Sequence, residues 1–233
     1  MEFSSTVTRS QPIVLSASTE AKTYMLVALA LGLTLVGVMI GGAFADVLLG
    51  TGVNLILLFV ELAIIFSSRW WIERSPLNIF LFAAFPLLSG ITITPYILYV
   101  LASYVNGASI LMNALASTTF MAIAAAVFAR TTRWNLSMMG RALFLSVIGL
   151  VCFGILQIIF PALRTGAAEL FISGAGVVIF ALFTAYDMQR VMAMGRVGAN
   201  PFLLALSLYL DLFNLFLYVL RFMLALSGNR RRF

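Results

Sequence analysis

The chain contains no histidine, one cysteine and a single lysine, and only 9% of its 233 residues are charged. Each scarcity removes a class of function. Without histidine there is no ordinary Ser/His dyad and no histidine zinc site. One cysteine cannot form an internal disulfide. Set in an apolar run, Cys152 reads as inert core, because a buried free thiol behaves as a small hydrophobe. The lone lysine, Lys22, precedes the first apolar span, so no lysine inside a bundle is available for a Schiff base to a retinal. Finally, too few polar side chains remain to cover a water-soluble globule.

What the chain has instead is hydrocarbon, at 63% of all residues. Apolar runs of about 20 residues, enough to cross a bilayer core, recur along its whole length. They lack the polar/apolar alternation of a membrane β-barrel, which leaves helices as the way to satisfy the backbone in lipid. The expectation is an all-α membrane protein with seven transmembrane helices, at roughly 23–45, 47–67, 77–101, 109–129, 142–160, 169–187 and 202–226. Residues 1–22, polar and Ser/Thr-rich with Pro12, read as a flexible cytoplasmic tail. No short apolar core follows a basic start there, so a secretory signal is not expected. Residues 23–228 form one domain, and 229–233 a basic C-terminal tail.

Basic residues predict the orientation. Arg9, Lys22, Arg69, Arg74, Arg130, Arg133, Arg141, Arg190 and Arg196 fall on one side of the spans, against Arg164 alone in the loops of the other. Positive charge concentrates on the cytoplasmic side, so the N-terminus is expected in the cytoplasm. The same arginines account for the net charge of +6 without nucleic acid as a partner. Arg221 and Arg230-Arg231-Arg232 run against the rule if the last segment crosses, yet 202–226 is long enough to do so.

Span three carries Pro86, Ser89, Gly90, Thr92, Thr94 and Pro95. Proline frees backbone carbonyls in a membrane helix. The segment is therefore either simply kinked or bent to line a cavity.

The most informative stretch lies between two aspartates 24 positions apart, Asp187 and Asp211. Midway between them stands Gly198-Ala199-Asn200-Pro201, which has the composition of a turn. A helical hairpin closing there would bring both carboxyls to the same depth. On the last span Ser207, Asp211, Asn214 and Tyr218 follow steps of four, three and four, which puts them on one helix face. On span six Ser173, Gly176 or Val177, Phe180, Thr184 and Asp187 do the same, and Gly174 and Gly176 permit close approach of a second helix. Two charges about 4 Å apart at an effective dielectric near 20 repel by roughly 4 kcal/mol. One proton shared between the two carboxyls is the economical solution, and such a pair could act as a pH-dependent latch. The alternative is that each aspartate separately caps a helix end or pairs with an arginine, Arg190 being about one turn from Asp187. Glu61, on span two, either contributes to a cation path or hydrogen-bonds a neighbouring helix. Asp46, Glu73 and Glu169, near span ends, read as solvated.

Ala185-Tyr186-Asp187-Met188-Gln189, with Ala205-Leu206-Ser207-Leu208-Tyr209-Leu210-Asp211-Leu212-Phe213-Asn214 after it, resembles the C-terminal signature of the Bax inhibitor (TMBIM) membrane proteins. Ser89-Gly90-Ile91-Thr92 followed by Pro95 resembles a second shared segment. The resemblance implies a seven-helix fold with the last helix central, a bacterial-type member in the inner membrane, and a pH-sensing pair carried by Asp187 and Asp211. It further implies a calcium leak, with calcium as the transported ion, no cofactor, and the two aspartates as its contact. In that family's closed form an arginine from span two meets the pair. Ile72 stands at the best-aligned position here, flanked by Arg69 and Arg74, with Arg69 the nearer replacement by helical phase. Glu61 matches an acid present in some members. A second function of the family, regulation of other membrane proteins in protease modulation or cell-death suppression, would use the tail 1–22 as its contact. An enzyme is not expected: the Gly-x-Gly-Asp setting of intramembrane aspartyl proteases is absent around Asp211.

Overall fold

A computed structural model of the chain describes residues 18–227. The basic tail and most of the polar N-terminal tail lie outside the described residues. Nine α-helices follow one another among the described residues: α1 (Thr19–Ala43), α2 (Ala45–Gly50), α3 (Val53–Phe66), α4 (Ser68–Trp71), α5 (Leu77–Ser103), α6 (Gly107–Thr131), α7 (Gly140–Ile159), α8 (Gly166–Gly195) and α9 (Pro201–Leu226). Six of them, α1 and α5 to α9, are long and apolar enough to cross a membrane, and α3 is a shorter apolar helix. The fold is thus the all-helical membrane bundle expected, with about seven helices.

The second expected span is the one that departs from a single rod. Gly52 adopts φ +70°, a left-handed conformation open to glycine without steric cost, and it separates α2 from α3. Beyond α3, Ser67 starts the one-turn α4. The sixth span is also longer than its hydropathy suggests. It runs on to Gly195, so Asp187 lies inside the helix rather than at its end. Gly198 (φ +75°) makes the turn, and Asn200 caps α9, its side-chain oxygen accepting from the Phe202 N–H at 2.9 Å. Proline at the first helical position then needs no hydrogen-bond partner.

α9 is the post around which the bundle stands. It packs against α8, α1, α6 and α5. Its first half supplies Ala205, Leu206, Leu208 and Tyr209 to one apolar cluster with Trp71, Phe82 and Phe85. Its second half supplies Leu215, Val219, Leu220 and Leu224 to another with Val100, Leu150 and Phe180. Lipid is as apolar as leucine, so close packing rather than escape from water must hold these helices together. Small residues provide it. A Cβ on Gly90 would land on the Thr34 carbonyl and the Gly37 backbone of α1, and one on Gly176 would land on the Tyr218 ring of α9.

α5 continues through both Pro86 and Pro95. Ser89, Thr92 and Thr94 donate their hydroxyls to the Phe85, Leu88 and Gly90 carbonyls of the same helix. Cys152, expected in the core, is exposed instead. It sits on the outer face of α7, where an apolar run signals contact with lipid as readily as burial. Glu169, expected to be solvated, pairs with Arg221 of α9 at 2.7 Å. That bond also supplies the charge partner that Arg221 lacks in the sequence alone.

The α1–α5 contact yields a stability test. Gly90→Ala should cost about 1–3 kcal/mol, the range for overpacking a tight contact, and lower the thermal midpoint of the purified protein. Gly32→Ala, where a Cβ meets nothing within 4 Å, should leave the midpoint unchanged.

Candidate functional site

The stripe read on span six points inward: Ser173, Gly176, Phe180, Thr184 and Asp187 are all buried. From α9, Asp211 is buried with them. Asp187 lies eight residues before the end of α8 and Asp211 ten residues after the start of α9. At 1.5 Å per residue those are about 12 and 15 Å from the turn, nearly the same depth. The two carboxyls are close enough to couple electrostatically, with Ser207 and Arg190 the other polar groups acting on Asp187. Asp187 is 3% exposed and Asp211 7%. The Oδ2 atom of each is buried with no hydrogen-bond partner. An unpartnered buried oxygen costs on the order of 1–3 kcal/mol, and more when charged.

The arginine beside the pair is Arg190, whose Nη1 stands 3.7 Å from Asp187 Oδ1, one helical turn along α8. That separation is long for a charge-assisted hydrogen bond. The arginines expected from span two are elsewhere. Arg69 is exposed, and Arg74 is exposed with its guanidinium 4.5 Å from the centre of the Trp70 ring. The break into α3 and α4 redirects this part of the chain, so helical phase counted through Ser67 does not carry over. Ile72, between the two, is buried, and its carbonyl accepts from Asn200 Nδ2 at 3.0 Å. Asn200 therefore caps α9 and ties the hairpin turn to α4.

Asn214 and Tyr218 share the Asp211 face but do not join the pair. Asn214 Nδ2 donates to the Leu210 carbonyl of its own helix at 2.8 Å. Tyr218 stacks on Phe180 at 5.4 Å between centroids and fills the space left by Gly176. Glu61 is buried and fully partnered: Ser89 donates to its Oε2 at 2.8 Å and Thr92 to its Oε1 at 2.6 Å. Of the two possibilities for Glu61, the bond to a neighbouring helix is present. The Ser89-Gly90-Ile91-Thr92 segment thus does two jobs: its hydroxyls hold α3, and its glycine seats α1.

As a calcium contact, the pair offers two carboxyls and the Ser207 hydroxyl, fewer than the six to eight oxygens a resident calcium ion takes. Among the described residues no three His, Cys, Asp or Glu side chains cluster.

A family model described as inhibitor of apoptosis-promoting Bax1 matches residues 17–229, nearly the whole chain. The chain belongs to the Bax inhibitor family. Among similar proteins, an uncharacterized protein of Campylobacter jejuni is 32% identical over 210 residues, covering 89% of this chain and 88% of that one. An uncharacterized protein of Helicobacter pylori is 32% identical over 161 residues, 69% of this chain and 67% of its own. The inner membrane protein YbhL of Escherichia coli is 31% identical over 189 residues, 77% of this chain and 75% of its own.

Within this Bax inhibitor protein, two polar contacts escape a reading of the sequence. Tyr209 and Thr34 share a hydrogen bond of 2.7 Å between α9 and α1. A tyrosine in mid-hydrocarbon signals a need for a partner, but not which one. Gln189, inside the signature, clamps the α6–α7 loop: its Oε1 accepts from the Leu136 N–H at 2.8 Å and its Nε2 donates to the Trp134 carbonyl at 3.0 Å.

The Glu61 contacts can be checked directly. Ser89→Ala leaves Oε2 without its donor and should destabilise the protein by about 1–3 kcal/mol. A double-mutant cycle with Glu61→Gln, read by thermal unfolding, should show the two changes to be non-additive.

Proposed function

We propose that this Bax inhibitor protein is a pH-regulated calcium leak, switched by proton exchange on the Asp187–Asp211 pair. The observation that supports the proposal most is the burial of two interacting carboxyls, each with an unpartnered oxygen, across the hairpin around which the bundle packs. Protonation weakens the contact with Arg190. Full ionisation attracts cations and at the same time pushes α8 from α9, by roughly 4 kcal/mol if the charges stand about 4 Å apart at an effective dielectric near 20. Either way the hairpin is the element that responds, and Arg190, rather than an arginine from span two, is the group that opposes it.

The relation to YbhL, named as an inner membrane protein, supports a bacterial inner membrane as the location. The nine-to-one distribution of basic residues supports a cytoplasmic N-terminus. Arg221 does not oppose that orientation once it is bonded to Glu169. The alternative function, regulation of other membrane proteins through the tail 1–22, draws on residues that lie largely outside those described.

Calcium flux into proteoliposomes should vary with pH for the wild-type protein. Asp211→Asn, which keeps the shape of the side chain but cannot exchange a proton, should make the flux independent of pH. A variant with the wild-type pH profile would refute the switch.

A further inference from the structure

At the end of the bundle remote from the aspartates lies a groove of about 870 Å³ between α5, α7, α8 and α9. Glu169, on its wall, precedes Asp187 by 18 residues on the same helix, about 27 Å away. We propose that this groove binds the headgroup of an anionic phospholipid, with an acyl chain lying along α7. Three observations carry the assignment.

The first is charge. Arg164 and Arg221 line the groove against one acid, Glu169. Glu169 Oε1 is already engaged by Arg221, through Nε at 2.8 Å and Nη2 at 2.7 Å. Arg164 uses only Nε, which donates to the Gln157 carbonyl at 2.8 Å. Its two terminal nitrogens have no partner among the described residues and are free to grip a phosphate in the forked geometry that guanidinium favours.

The second is the opposite wall. Val151, Ile155 and Ile158 of α7 line the groove and are exposed by half or more, at 56%, 51% and 70%. In a membrane bundle that face meets hydrocarbon, so the groove opens sideways to lipid. A soluble anion has no use for such a wall, but an acyl chain does.

The third is depth. Tyr96, Tyr99 and Tyr104 form a connected ring cluster at the groove, with Tyr99 exposed. Tyrosine gathers at headgroup level, where one end of the ring is apolar and the other wet. A phosphate beside Arg164 would therefore lie where lipid phosphates lie.

The test uses the full-length protein in bilayers of phosphatidylglycerol and phosphatidylcholine with identical chains, followed by native mass spectrometry of the retained lipid. Wild-type protein should keep phosphatidylglycerol over phosphatidylcholine. Arg164→Gln should lower that preference about tenfold, equivalent to about 1.4 kcal/mol, and Arg164→Lys should restore part of it. Arg164 is an exposed loop residue, so both variants should stay folded, their thermal midpoints lowered equally and only by loss of the Nε bond to the Gln157 carbonyl. Arg133→Gln, on the loop at the other end of the bundle, should keep the full preference. Three results would each overturn the proposal: equal preference in wild type and Arg164→Gln, an equal loss in Arg133→Gln, or displacement of the retained lipid by millimolar inorganic phosphate, which would make the occupant a soluble anion.

Discussion

Inside a bilayer a polar side chain can bond only to other parts of the protein. The arrangement of this bundle follows from that shortage. Glu61 is met by Ser89 and Thr92, Tyr209 by Thr34, and Glu169 by Arg221, each bond joining two different helices. The polar residues are few, and they act as the staples of a packing that hydrophobicity alone would leave unspecified. Among the buried acids the two aspartates are the exceptions, each with an oxygen that no neighbour satisfies. The fold finds partners for its other buried acid, Glu61, and leaves these two carboxyls short.

Packing and polarity are assigned to the same short segments. Ser89-Gly90-Ile91-Thr92 places a glycine against the α1 backbone and two hydroxyls on Glu61 of α3. The sequence around Asp187 positions that carboxyl inward, and two residues later Gln189 holds the α6–α7 loop through both of its amide atoms. Asn200 caps α9 while bonding Ile72. Movement of α8 against α9 would therefore be felt in two loops on the same side of the bundle.

Much of this was legible in the amino-acid order. Hydropathy placed six of the spans, because a long apolar run with polar ends has one stable conformation in lipid. The step pattern of Ser173, Gly176, Phe180, Thr184 and Asp187 identified the inward face of α8, because only a buried face tolerates a carboxyl there. Gly198 to Pro201 fixed the hairpin and hence the depth of both acids. What escaped depended on the third dimension. Gly50-Thr51-Gly52 and Asn54 interrupt the apolar run only briefly, and a window average does not register one residue in a left-handed conformation. Once the rod is broken there and again at Ser67, counting phase toward Arg69 fails, and Arg190 is the arginine beside Asp187. Cys152 shows a second limit: in lipid, apolar surroundings mean either the interior or the outside. Pairings between distant charges, such as Glu169 with Arg221, leave no trace in local spacing.

The brevity of α3 has a consequence for the surrounding lipid. Fourteen residues make a helix of about 21 Å, some 9 Å less than a typical hydrocarbon core of about 30 Å. Short helices α2 and α4 extend it at bends, so this side of the bundle presents an uneven apolar belt. Mismatch between such a belt and its bilayer costs fractions of a kcal/mol per Å. Glu61 sits on this helix, so chain length and unsaturation of the host lipids enter the energetics of a buried acid that no lipid touches. Thick and thin membranes would then not be equivalent solvents for this protein.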